Sequence, residues 1–178
     1  MSYSTQSIRN VALAGHPGAG KTTLFEALLQ AGGALQTAGT IERGNTLSDF
    51  DPIEKQRGHS IDIGVASIDH AAAPDAPVHL NLIDTPGYPD FRGPALSAVG
   101  AVETVVVVVD AAAGVEYGTR RMMEYARGRN LCRAIVVNKI TTKAPRSKAS
   151  SPIFATPSVP NASRSTCPQT AASAWSIA

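Results

Sequence analysis

An α/β domain with a mostly parallel sheet and helices on its faces is predicted for this chain by three features. A short apolar run at residues 8–14 (IRNVALA) stops at a glycine-rich loop, after which a helical pattern begins. Strand-like and helix-like stretches then alternate, as they do when each strand is followed by a crossover helix. Finally, residues 104–109 (TVVVVV) form a continuous β-branched run, the mark of a strand covered on both faces.

Taken in order, residues 8–14 read as a buried first strand. Residues 21–30 read as a helix whose broad apolar face is Leu24, Phe25, Ala27, Leu28 and Leu29. Residues 31–60 are rich in glycine, threonine and charge with little periodicity, so a mobile surface loop is expected. Residues 78–83 (VHLNLI) alternate and read as a strand ending at Asp84, and the run at 104–109 ends likewise at Asp110. Residues 116–129 look helical, and 134–137 (AIVV) read as another buried strand. Residues 1–7 form an N-terminal extension, 8–140 the folded domain and 141–178 a tail.

The chain's 178 residues suffice for one domain with a substantial core and are too few for two of ordinary size. No stretch approaches the roughly 20 apolar residues of a membrane span, and the first residues lack a basic-then-apolar leader. Two cysteines, Cys132 and Cys167, supply neither a disulfide framework nor metal-ligand spacing. A reducing cytoplasm, with no membrane partner, is expected. Residues 1–140 hold twelve basic and fourteen acidic residues, a net of −2, whereas 141–178 carry four basic residues and no acidic one.

Gly15, His16, Pro17, Gly18, Ala19, Gly20, Lys21 and Thr22 fit G-x-x-x-x-G-K-[ST] at every fixed position. The glycines let the backbone curl so that successive N–H groups point inward, forming an anion nest at a helix N-terminus. Lys21 would reach the β- and γ-phosphate oxygens, the Thr22 hydroxyl would take a Mg²⁺ position, and Thr23 would follow in the same nest. A plain Gly-rich turn before a helix is the competing reading, weakened by the position directly between an apolar strand and a helix. Asp84-Thr85-Pro86-Gly87 is the second piece. Asp84, ending a neighbouring strand, would hold the metal through water, and Gly87 would let its N–H approach the γ-phosphate. Ser60, in Gln56-Arg57-Gly58-His59-Ser60, would complete the metal shell when the γ-phosphate is present, making its loop a switch. His16 and His59 are expected to be ordinary loop histidines. Asn138-Lys139-Ile140 closes the last strand.

On the strings RNVALAGHPGAGKTTL, EKQRGHSI, LIDTPGYPDF and IVVNKI, residues 7–140 resemble the G domain of translational GTPases, specifically of elongation factor G and its relatives. The resemblance implies a P-loop NTPase fold, GTP and GDP as ligands, Mg²⁺, GTP hydrolysis and, for the full-length factor, the ribosome as partner. It gives Ser60 the γ-phosphate-sensing hydroxyl of switch I, begins switch II at Asp84, and packs Asn138 with Lys139 on the guanine ring. Three departures stand out. Tyr88 occupies the place of the switch II histidine that orients the attacking water, so Tyr88, with Lys21 and Gly87, is the catalytic candidate. Thr141 stands where N-K-x-D needs its guanine-reading aspartate, and such a loss weakens discrimination strongly. The later parts of the G domain have no counterpart.

Residues 141–178 contain eight Ser, five Thr and five Pro with isolated apolar residues, a composition that cannot offset its ordering entropy, and disorder is expected. Their composition fits translation out of frame. Restoring one nucleotide before the codon of Thr141 permits an aspartate there, giving Asn-Lys-Ile-Asp, and turns residues 160–170 (PNASRSTCPQT) into ECLAINLPAD with suitable wobble bases. The basic tail is then no nucleic-acid arm, and an incomplete domain with weak or no nucleotide binding is the alternative to an active GTPase. A P-loop kinase is the third reading, disfavoured because no Arg-rich lid segment is evident. Re-sequencing the gene around codon 141 is expected to reveal elongation-factor-like sequence in the adjacent frame; its absence beside an intact frame overturns the frame-shift reading.

Overall fold

The first strand, β1 (Ile8–Gly15), sits at the centre of the molecule because its side chains alternate between two apolar layers. A computed structural model describes residues 3–71 and 77–140, and the expectations for 141–178 lie outside the described residues. Ala12 and Ala14 face one layer, Leu13 the other, following the two-residue period of a strand. After β1 come helix α1 (Lys21–Ala31), a short helix α2 (Pro52–Arg57), strand β2 (Gly64–Ala71) and strand β3 (Pro77–Asp84). Helix α3 (Arg92–Gly100), strand β4 (Thr104–Asp110), helix α4 (Tyr117–Gly128) and strand β5 (Cys132–Asn138) complete the described chain.

The five strands form one sheet in the order β2-β3-β1-β4-β5, parallel except for β2, which pairs antiparallel with β3. This is the predicted α/β fold with its mostly parallel sheet. Register brings the functional strand ends together: Leu13 lies beside Asp84, Gly15 beside Val108, and Asp110 beside Asn138. On one face Ala12, Ala14, Val105 and Val107 pack with Val99, Met122 and Ala126 of α3 and α4. On the other, Leu13 and Leu82 pack with Phe25 and Leu29 of α1 and with Ile68.

Four departures from the sequence reading have physical causes. Residues 31–60, where the sequence shows no periodic element, carry a 3₁₀ turn, Ile41–Arg43, and α2. Asp51 and Glu54 cap α2 reciprocally, the Asp51 carboxylate accepting from Ile53 N at 2.7 Å and Glu54 accepting from Asp51 N at 3.2 Å. Within α1, Ala27 is exposed and Glu26 is buried, because the Glu26 carboxylate accepts from the backbone N–H groups of Gly39 (2.8 Å) and Leu47. Strand β2 and helix α3 carry too few regular apolar positions to announce themselves; β2 is held by its pairing with β3, and α3 by packing of Val99 into the core. Strand β5, expected to be buried, is half open: Ile135 and Val137 are 45% and 46% exposed. It is the sheet's edge, and no element among the described residues covers its outer face.

Phe25 is fully buried beneath the sheet next to Leu13, Leu29 and Leu82. Phe25→Ala is expected to lower unfolding stability by about 3–5 kcal/mol in urea titration, a large part of the roughly 5–15 kcal/mol typical of a domain.

Candidate functional site

At the carboxyl edge of the sheet the chain leaves β1 and turns through Gly15, His16, Pro17, Gly18, Ala19 and Gly20 into α1. Gly18 and Gly20 take left-handed backbone angles, φ +73° and +90°, which side chains resist and glycine tolerates. A Cβ on Gly20 would also strike the Asn138 amide nitrogen. The turn delivers Lys21 and Thr22, both buried, to the first turn of α1. The Lys21 ammonium donates to the carbonyls of His16 at 3.0 Å and Gly15 at 3.4 Å. Burial pulls its pKa below the ordinary lysine value, with the Asp84 carboxylate opposing.

Asp84, at the end of β3, is buried behind Thr22. Its Oδ2 accepts from the Thr22 hydroxyl at 2.7 Å and from Ser48 at 3.0 Å, while its Oδ1 is buried without a hydrogen-bond partner. Burial pushes its pKa up to about 6, against the pull of Thr22 and Lys21. Ser60 reaches the same place from the loop: its Oγ lies 3.2 Å from Thr22 Oγ1 and donates to Asp49 Oδ1 at 2.7 Å. Burial raises the Asp49 pKa, and the Ser60 hydroxyl opposes that. Hard oxygen groups from Thr22, Ser60, Asp49 and Asp84 thus come together here, and the second oxygen of Asp84 is buried with no hydrogen-bond partner. Such a donor set fits a hydrated Mg²⁺.

A cleft of about 290 Å³ opens in front of these groups, lined by Gly18, Gly20, Lys21, Thr22, Thr23, Ser60, Gly87, Tyr88 and Lys139 among others. Gly87 is there because nothing larger fits: a Cβ would meet the Lys21 ammonium and lie 2.9 Å from Pro17 backbone atoms. Tyr88, 42% exposed, packs against His59 with ring centroids 4.5 Å apart and the planes tilted by 45°. Asn138 donates to Ala19 O at 3.1 Å. The Lys139 ammonium meets Gly18 O at 2.6 Å and Asp110 Oδ2 at 2.9 Å, and this contact lowers the Asp110 pKa. His16 lies on the far side of the turn, its Nε2 3.2 Å from Glu116 and its Nδ1 accepting from Gly118 N at 3.4 Å.

The structure therefore gathers the sequence candidates Gly18, Gly20, Lys21, Thr22, Thr23, Ser60, Gly87, Tyr88 and Lys139 on one cleft. Asp84 and Asn138 support it from behind. Pro17 also lines the cleft, Ala19 completes the turn, and Gly15 and His16 line a separate hollow with Tyr117 and Gly118. Sequence reasoning missed Ser48, Asp49, Glu26 and Glu54. A usable signal existed for one of them: Asp51-Pro-Ile-Glu54 is a capping-box pattern. The others are acids and hydroxyls in polar surroundings whose burial only the fold produces.

The chain matches the family described as the Elongation factor Tu GTP binding domain over residues 6–152. It is 40% identical over 136 residues to peptide chain release factor 3 of Aromatoleum aromaticum, covering 74% of this chain and 24% of that protein. The release factor 3 of Streptococcus pyogenes serotype M5 is 38% identical over the same length, covering 26% of that protein. The chain thus spans about a quarter of the length of these curated relatives. Among solved structures, a Thermus thermophilus protein superposes with a TM-score of 0.67 at 40% identity, covering 74% of this chain and 19% of that one. A bacterial selenocysteine-specific elongation factor, EF-Sec, superposes at 0.57 and 30% identity, covering 72% and 19%.

Asp84 gives the site a pH signature. Its pKa rises from 3.8 unfolded to about 6 folded, so the fold favours the protonated acid. That stability is fully present below the unfolded value and is lost as pH rises through about 6, by about 3 kcal/mol in all. In chelator and without nucleotide, Asp84→Asn is expected to gain stability relative to the parent between pH 5 and 7.5, read by urea unfolding at each pH. A difference that stays constant across that range contradicts the assignment.

Proposed function

This chain belongs to the Elongation factor Tu GTP-binding domain family, the GTP-binding domain of translational GTPases, and from that premise we propose that it binds GTP with Mg²⁺ and hydrolyses it to GDP and phosphate. The observation that carries the proposal is the convergence of Lys21, Thr22 and the buried Asp84 on one cleft, with Gly87 bare of a side chain beside the lysine ammonium.

In this reading the N–H groups of the turn from Gly15 to Thr22 receive the α- and β-phosphates at the positive end of α1. The Lys21 ammonium transfers from the carbonyls of Gly15 and His16 to β- and γ-phosphate oxygens. Thr22, Ser60 and Asp84 would hold Mg²⁺, with Asp49 supporting Ser60. Bound there, Mg²⁺ supplies positive charge against the β- and γ-phosphates. Gly87 lets its backbone N–H come close to the γ-phosphate, and Tyr88 stands beside it at the mouth of the cleft. Asn138 and Lys139 brace the turn, and the aliphatic stem of Lys139 offers a surface for the guanine ring. Catalysis rests on positioned charge, as phosphoryl transfer generally requires.

For the surrounding protein, the strings EKQRGHSI and LIDTPGYPDF support cytoplasmic work on the ribosome in the manner of elongation factor G. Release-factor work is a second reading, favoured by the 40% identity to peptide chain release factor 3. Stimulation of translocation by the protein carrying this domain supports the first, and stimulation of peptide release alone supports the second.

Equilibrium titration of the chain with GTP and ATP, with Mg²⁺ or with EDTA, tests the nucleotide site. Mg²⁺-dependent GTP binding is expected, weakened about 10- to 100-fold by Lys21→Ala, the loss that goes with one charge-assisted contact of about 1.5–3 kcal/mol. Undetectable binding of either nucleotide overturns the proposal in favour of a non-enzymatic domain.

A further inference from the structure

Hydrolysis of a phosphoric anhydride needs a water held in line with the γ-phosphorus, and therefore a hydrogen-bond acceptor at the open end of the cleft. The hydroxyls that line that cleft, on Thr22, Thr23, Ser60 and Tyr88, are weaker acceptors than an imidazole nitrogen. Lys21 and Lys139 are donors only. Ser60 already donates to Asp49 and meets Thr22. Glu42 is an exposed carboxylate that a triphosphate repels. The imidazole of His59 is different. Its Nδ1 lies 3.1 Å from the carbonyl oxygen of Arg57, which can only accept, so Nδ1 carries a proton, and in the Nδ1–H tautomer Nε2 is the lone-pair acceptor.

The ring is also held. It lies tilted at 45° against Tyr88, with ring centroids 4.5 Å apart, and 6.2 Å from the Phe91 ring, both from the segment that follows Gly87. The next residue along the chain, Ser60, is fixed at Thr22 and Asp49. His59 therefore borders the same cleft as Lys21, Ser60 and Gly87, with one ring nitrogen committed and the other available.

From this geometry we infer that His59 is a catalytic residue, whose Nε2 accepts a hydrogen bond from the attacking water. The inference rests on the GTP-hydrolysing reading above and names within it a residue that the motifs left as an ordinary loop histidine. In the step, a lone pair of the water oxygen forms the new bond to the γ-phosphorus. The bond from that phosphorus to the β–γ bridging oxygen breaks, its electron pair staying on GDP. The water's protons end on inorganic phosphate and in solvent, so His59 orients the water and is unchanged at the end. Tyr88 acts as a positioning residue, its ring packed at a tilt against the imidazole.

Single-turnover GTP hydrolysis, with GTP affinity and thermal stability measured in parallel, tests this on the chain as it stands. His59→Ala is expected to slow hydrolysis about 10²-fold with GTP affinity and melting temperature retained. His59→Gln, whose amide oxygen still accepts, and added imidazole are each expected to restore part of the rate. Parent-like hydrolysis by His59→Ala overturns the inference and leaves the GTPase reading intact. So does a slowed variant that loses GTP affinity and answers to neither rescue, since that marks a merely structural ring. A parent chain that binds no GTP, or binds it and does not hydrolyse it, overturns the GTPase reading and the His59 assignment together.

Discussion

A carboxylate and an ammonium held out of water at the ends of adjacent parts of the sheet set the terms for the rest of the structure. Asp84 ends β3 and Lys21 opens α1 six residues after β1, and both are buried. Burial opposes ionisation of each, raising the acid and lowering the base. Such a pair is tolerated only where hydrogen bonds and opposite charge offset desolvation. The hydroxyls of Thr22 and Ser48 and the carbonyls of Gly15 and His16 do this. An anionic ligand and a divalent cation would do it better, which is how a destabilising arrangement becomes a binding site.

The loop between α1 and β2 is organised by the same constraint on buried charge. Glu26 accepts backbone N–H groups from Gly39 and Leu47, and Glu54 accepts from Ile61 and Asp62. With Leu35 packed on the core, these two acids anchor the loop, in which Ser48 meets Asp84 and Ser60 meets Thr22 and Asp49. A loop tied by a handful of polar contacts, with Phe50 and Ile53 left exposed, has few apolar contacts opposing its movement. That is the character a segment needs if it is to respond to a phosphate.

On the opposite side the cleft is braced by Asn138 and Lys139. The left-handed backbone of Lys139, at φ 57°, turns its ammonium onto Gly18 O and Asp110 while Asn138 donates to Ala19 O. A pair that the family resemblance assigns to the nucleotide base thus also supports the phosphate turn. The brace is mounted on β5, an edge strand with an apolar outer face, so its rigidity depends on β4 alone among the described strands.

The phosphate turn was legible in the sequence because its requirements are local: glycines at fixed spacing, a lysine and a hydroxyl at a helix start, an apolar strand before them. The strands ending in Asp84 and Asp110 were legible for the same reason, their periodicity lying within seven or eight residues. Tertiary structure alone decided that Glu26 is inside and Ala27 outside, that residues 31–60 carry a polar-anchored turn and helix, that Val137 is open, and that His59 packs against Tyr88. Each of these depends on partners 11 to 29 positions away or on a neighbouring strand. Burial of a polar group is a property of what surrounds it in space, and helical or strand periodicity carries no record of that.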